Sequence, residues 1–272
     1  KRLAQLVREE KAKPLPPPVA AKAPPEQEQQ KRVDPKQPSD RPDALPPEAR
    51  PLVDRPFTGD LDEMVKRRII RAGVTFNRTH YFIDRGQQRG VAYESLMNFE
   101  QELNDRLKTG KLRVHVAIVP LGREALQSAL LEGKVDLLIA QLKVTPERQK
   151  LADFTTPTRT NVSEVVVTGP GAPPITSVED LSGKEVAVRA GSTYQESLEQ
   201  LNQRLQAAGK APVVIKPLPV NLEDDDILEM VNASLVPATI VDAFMADLYA
   251  QVFPALKENA DIASPPADIA WA

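Results

Sequence analysis

Few residues in this chain have types and spacing suited to chemistry. His80 and His115 are the only histidines, and neither stands at metal-ligand spacing from carboxylates. His115 lies inside a strand-like V-H-V, and His80 follows a loop-like stretch. There are no cysteines, so disulfides, thiol catalysis, cysteine metal sites and a lipid-bearing cysteine are excluded within these residues. No G-x-S-x-G elbow, phosphate loop or dinucleotide fingerprint occurs. The G-P-G-A at 169–172 lacks the strand-turn-helix context that such a loop needs. No catalytic residue, metal or other cofactor is therefore expected, and the chemistry that remains is binding.

Two segments carry that chemistry. The first is I-A-Q-L-K-V-T-P-E-R at 139–148, directly after the apolar V-D-L-L-I-A. In open parallel sheets ligands bind beyond the carboxyl ends of strands. Arg148, a few residues past such a strand, can curl back and grip a carboxylate with its two-pronged guanidinium. The alternative is a surface arginine paired with Glu147 or Asp153, and spacing alone does not choose. The second is A-G-S-T at 190–193, between E-V-A-V-R and a long helical pattern. Ser192 and Thr193 can cap that helix and leave amide donors facing an anion, or they can be a plain N-cap.

The elements that must position these segments alternate. Ile69–Thr75, Leu112–Val119, Val135–Ala140, Ser163–Thr168, Glu185–Arg189, Pro212–Pro217 and Thr239–Asp242 read as strands. Ala92–Leu107, Glu124–Leu131, Thr193–Ala208, Glu223–Val231 and Phe244–Val252 read as helices. Leu96, Phe99, Leu103 and Leu107 share one face, and Gly133 and Gly209 are natural helix stops. Strands separated by helices imply βαβ units and parallel sheets. The units fall into two sets split near residue 162, which fits two facing lobes better than one doubly wound domain.

Composition sets the remaining bounds. The chain has 272 residues, 41% of them hydrophobic, enough for two small α/β lobes. A net charge of −3 gives no reason to expect a nucleic-acid partner. Residues 14–56 hold thirteen of the 26 prolines and no aromatic. Such a stretch buries too little apolar surface to offset its ordering entropy, so a disordered, partly polyproline II spacer is expected. The expected organisation is a proline-rich arm over 1–57, a first lobe over 58–161, a second lobe over 162–261, and a return segment to the first lobe over 262–272. The chain opens at Lys1 without Met, as expected of a processed protein or a fragment. At the other end D-I-A-W-A (268–272) reads as the beginning of a strand.

From about Gly59 onward the chain resembles the bacterial extracellular solute-binding proteins, family 3, the amino-acid-binding proteins of ABC importers. The most specific piece is D-L-L-I-A-Q-L-K-V-T-P-E-R-Q-K-L-A-D-F-T-T-P at 136–157. L-S-G-K-E-V-A-V-R-A-G-S-T at 181–193 resembles the start of that family's second lobe. V-D-A-F-M-A-D at 241–247 resembles its strand leading to a ligand-facing aspartate. The resemblance implies a two-lobed periplasmic-binding-protein-like α/β fold. It implies that Arg148 holds a ligand α-carboxylate, with Thr145, Gln141 and Lys143 on the polar turn beside it. Ser192 and Thr193 clamp the same carboxylate, Asp247 takes the α-amino group, and Tyr81 or Phe82 stacks on the ligand.

Three positions depart from the family pattern. Lys143 stands where Ser or Thr is usual, and either points into the cleft, favouring an acidic ligand, or points out. Ala92 replaces an aspartate, and Val236–Thr239 replaces a glycine turn. A narrower resemblance, in N-R-T-H-Y-F-I-D (77–84) and M-V-N-A-S-L-V-P-A-T-I-V-D (230–242), is to the solute-binding domains that precede the catalytic domain of the membrane-bound lytic murein transglycosylase F group. It implies a periplasmic sensor for an amino acid, short peptide or muropeptide, acting with peptidoglycan or a covalently following transglycosylase domain. The alternative partner is the permease of an ABC importer, and the remaining possibility is a small enzyme such as a dehydratase, for which no acid or base stands out. In the resembled family helices follow the returning strand, so an apolar first-lobe face left open beyond Trp271 is a further expectation.

Overall fold

The computed structural model describes residues 55–173, 175–262 and 264–272. Residues 1–54, nearly all of the proline-rich arm expected to be disordered, lie outside the described residues.

The first lobe is built on β1 (Ile69–Thr75), all seven residues of which are buried. An unbroken run rich in β-branched residues is the pattern of a strand covered on both faces. It lies centrally between β4 (His115–Leu121) and β5 (Leu137–Ile139), parallel to both. Gly73 keeps the strands close there, since a Cβ would come within 2.7 Å of the Leu138 side chain and push it aside. On one face α2 (Val91–Leu107) sets Ala92 and Leu96 against Ile70, Ala72 and Val74. On the other, α3 (Leu126–Leu131) packs Leu126 and Ala129 over Val135 and Leu138. The short α1 (Leu61–Arg67) precedes β1, and the hairpin β2 (Phe82–Asp84) and β3 (Gln87–Arg89) precedes α2.

An ion pair penetrates this core. Arg71, fully buried on β1, pairs with the equally buried Asp136 at 2.7 Å, and Arg67 meets the same carboxylate at 2.8 Å. Arg71 also donates to the Gly133 carbonyl at 2.7 Å, so the loop before β5 is tied to β1 through side chains.

The second lobe has a five-stranded sheet in the order β10-β9-β11-β8-β12. Its strands are β8 (Glu164–Thr168), β9 (Glu185–Arg189), β10 (Val214–Leu218), β11 (Ala238–Asp242) and β12 (Lys257–Asp261). β9, β10 and β11 are parallel, β8 runs antiparallel to β11, and the edge strand β12 pairs antiparallel with β8. Helix α5 (Thr193–Ala207) covers one face through Tyr194, Leu198, Leu201 and Leu205. Helices α6 (Asp224–Asn232) and α7 (Ala243–Val252) cover the other through Ile227, Leu228, Val231, Met245 and Tyr249.

Between the lobes lies a third, antiparallel sheet, β6 (Leu142–Lys143), β13 (Ala267–Ala270) and β7 (Arg159–Val162). The chain leaves β7 for the second lobe at Ser163 and comes back into β13. Past β13, Ala272 exchanges backbone hydrogen bonds with Leu138 at 2.7 and 3.2 Å, and Trp271 stands edge-on to Phe99 at 5.8 Å. The 267–272 segment thus rejoins the first lobe. No helix of the described residues is long and apolar enough to cross a membrane.

Candidate functional site

The carboxyl ends of β5, β9 and β11 converge on a cavity of about 380 Å³, walled by both lobes. From the first lobe come Arg123, Gln141, Lys143 and Arg148. From the second come Arg189, Ser192, Thr193, Tyr194, Asp224 and Asp242.

The first-lobe wall is made by the turn after β5. Gln141 turns the chain in the left-handed region, with φ 50°, and β6 follows at once. Thr145 then caps the single turn α4 (Pro146–Gln149), its hydroxyl accepting from the Arg148 amide at 3.3 Å. Pro146, with its fixed φ and missing N–H, suits the first position of that turn. The Arg148 guanidinium folds back over its own loop and donates to the Lys143 carbonyl at 3.0 Å. Among the described residues no carboxylate lies within ion-pair distance of it; Glu147 and Asp153, the surface partners considered from sequence, do not pair with it. Burial holds the guanidinium below its ordinary pKa; Glu196 opposes the shift and Arg123 adds to it. A partly desolvated cation without a counter-ion favours an anion beside it.

Lys143 points inward. Its ammonium donates to Glu164, lies 2.8 Å from Asp242 Oδ1, and sits 4.7 Å from the centre of the Tyr194 ring. Asp242 is thereby held at ion-pair distance by this buried ammonium. Burial raises the Asp242 carboxyl above its ordinary range, and Lys143 works against that shift. Arg189, the last residue of β9, pairs with Asp224 at 2.7 Å, and the Tyr194 hydroxyl reaches the same carboxylate at 3.4 Å.

Ser192 caps α5, accepting from the Gln195 amide at 3.3 Å and donating to the Arg189 carbonyl at 2.7 Å. It also borders the cavity, so the capping and site roles considered from sequence are compatible. Thr193 opens α5, where helix geometry leaves the first amides without intrahelical partners.

Not every residue singled out from sequence is brought here. Asp247 is exposed on α7, beside Glu258, whose carboxyl is raised first by burial and then by Asp247. Tyr81 is buried in the first-lobe core and donates to Gln88 at 2.9 Å. Phe82, on β2, is half-buried. None of the three lines the cavity. Sequence reasoning missed Arg123, Arg189, Tyr194, Asp224 and Asp242. Arg189 and Asp242 had a usable signal, since each ends a strand and strand ends line such sites.

The family model described as bacterial extracellular solute-binding proteins, family 3, matches residues 70–253. The chain belongs to this family. Membrane-bound lytic murein transglycosylase F of Aeromonas hydrophila is 27% identical to this solute-binding chain over 216 residues, 79% of it and 40% of the relative. The protein of the same name from Ectopseudomonas mendocina is 30% identical over 183 residues, 67% of this chain and 34% of the relative. This solute-binding chain therefore spans 40% or less of the length of these two relatives. The L-cystine-binding protein TcyJ of Escherichia coli K12 is 30% identical over 105 residues, 39% of each chain. Among solved structures, an ancestral arginine-binding protein bound to arginine matches with a TM-score of 0.54 at 26% identity, covering 74% of this chain and 83% of that one. An ancestral amino-acid-binding protein, a precursor of cyclohexadienyl dehydratase, matches at 0.59 and 25%, covering 77% and 84%.

Proposed function

We propose that this chain is a periplasmic sensor module whose lobes close on a small carboxylate ligand, an amino acid, short peptide or muropeptide, and that it regulates a peptidoglycan lytic transglycosylase. The observation that carries the reading is Arg148, a guanidinium without a carboxylate partner among the described residues, in a cavity between two lobes. Thr145 shapes the turn that presents it, Gln141 and Lys143 line the same wall, and Ser192 and Thr193 stand opposite. The murein transglycosylase F relatives support the regulatory half of the proposal, because they extend well beyond the matched part. A free binding protein serving an ABC importer is the second reading, favoured by the match to an L-cystine-binding protein.

Isothermal titration with L-amino acids, dipeptides and muramyl peptides tests the site. Removing one partner of a buried, hydrogen-bonded charge pair costs roughly 2–5 kcal/mol, so Arg148→Ala should weaken the best binder about 30-fold or more. An unchanged dissociation constant would sink the assignment. The regulatory half is tested by sacculus digestion with the parent enzyme, whose rate should change when that binder is added.

A further inference from the structure

The charged groups of the cleft are unevenly committed. Asp224 is held by Arg189 and the Tyr194 hydroxyl. Glu164 and Asp242 both face the Lys143 ammonium, and Ser264 donates to the other Glu164 oxygen at 3.2 Å. The Tyr194 face, a natural seat for a cation, already carries Lys143 at 4.7 Å. Asp224 is thus matched by Arg189, while Glu164 and Asp242 share the single Lys143 ammonium, and the remaining lining carboxylate, Glu124, is exposed to water. On the cationic side Arg148 stays without an acid among the described residues.

We infer that Lys143 is the specificity-determining residue of the cleft: it fills the place of a ligand ammonium, so the ligand is a carboxylate whose amino group is acylated or absent. The inference rests on the carboxylate-binding reading of Arg148 and narrows it. A free α-ammonium brought to Asp242 would stand beside the buried Lys143 charge, and like charges at such range disfavour one another. An amide N–H brings no charge. Asp242 lines the cavity with Lys143 as its one ion-pair partner among the described residues, and its carboxylate is the acceptor such an amide can use. The ligand chemistry is then a carboxylate on Arg148 and a neutral N–H on Asp242, the pattern of an N-acylated amino acid.

The test uses matched probes: L-leucine, N-acetyl-L-leucine and 4-methylpentanoate, and L-glutamate, N-acetyl-L-glutamate and glutarate. Each is titrated calorimetrically into the whole chain. Within the better-binding set the acetylated probe should bind tighter than the free amino acid by about tenfold, roughly 1.4 kcal/mol. Lys143→Ser should narrow or reverse that ratio. Free amino acids binding as tightly as their acetylated partners overturn the inference; if Arg148→Ala still weakens them, the carboxylate site itself stands. If Arg148→Ala leaves all affinities unchanged, the underlying reading falls instead. Absence of binding by every probe counts against both. The comparison in the unaltered chain needs no variant, so it holds even if Lys143→Ser misfolds.

Discussion

Arg123 of the first lobe and Glu223 of the second meet at two points, Nε to Oε1 at 3.1 Å and Nη2 to Oε2 at 2.6 Å. Arg123 also donates to the Ala140 carbonyl at 3.0 Å, which anchors it to the end of β5. Around this pair the lobes touch again: Asn77 donates to Glu223 at 3.3 Å, and the Arg78 amide donates to Asp225 at 3.1 Å. The cleft is thus latched by the chain's own charges as well as by whatever it holds.

Breaking that latch should open the cleft. The chain has no cysteine, so Lys111→Cys and Lys210→Cys place spin labels on exposed positions of the two lobes without background. Arg123→Ala should lengthen the inter-label distance and weaken ligand binding. A double-mutant cycle with Glu223→Ala should give a coupling on the order of 2 kcal/mol. An unchanged distance together with zero coupling would show that the pair does not govern closure.

His80 makes the fold acid-sensitive. Burial lowers its pKa to about 4, with the Arg123 charge adding to the effect. Its Nδ1 has no hydrogen-bond partner among the described residues. The unfolded chain therefore binds a proton that the folded chain refuses between pH 6.5 and about 4. Stability from this group is fully present above pH 6.5 and is lost as pH falls toward 4, by roughly 3 kcal/mol. Urea melts of the chain and of His80→Gln across this window should converge at low pH. Parallel curves would mean that His80 is not the responsible group.

Local pattern made much of the fold legible, and long-range pairing hid the rest. The continuous I-I-R-A-G-V-T and the alternation of β9 with α5 are written in a few neighbouring residues. β12, K-E-N-A-D, is a polar edge strand whose only reason to be extended is its partner β8. The β2–β3 hairpin turns at Arg85 and Gly86, both with positive φ, and an arginine in the left-handed region is a weak signal beforehand. In the site, Arg148 could be found because its reach is local to its loop. Arg123 and Glu223 are 100 residues apart, and no spacing rule connects them.

The ion pair inside the first lobe gives a stability prediction. Asp136 is fully buried and serves both Arg67 and Arg71. Asp136→Ala would remove the buried carboxylate that faces the Arg71 charge. Breaking a buried pair by removing one partner costs about 3–5 kcal/mol. Chemical melts should show a loss of that size, whereas a loss under about 1 kcal/mol would show that water or rearrangement compensates.

The two aspartates near the end of the second lobe give the sharpest contrast. The 241–247 resemblance pointed to Asp247, yet the residue at the strand end beside the cavity is Asp242. Asp242 is buried, faces Lys143 and lines the cavity. Asp247 is exposed on the outer helix near Glu258. Asp242→Asn keeps the shape but removes the charge that accepts a ligand N–H, and a hydrogen bond to a charged group is worth about 1.5–3 kcal/mol. The tightest probe of the acetylated series should therefore bind Asp242→Asn roughly ten- to a hundredfold more weakly. Asp247→Asn should bind it within about twofold of the unaltered chain, since an exposed residue outside the cavity loses only a screened, distant charge. The same calorimetric titration reads both variants. Should Asp247→Asn lose affinity while Asp242→Asn keeps it, the ligand is held from α7 and the cleft described here is not where its nitrogen sits.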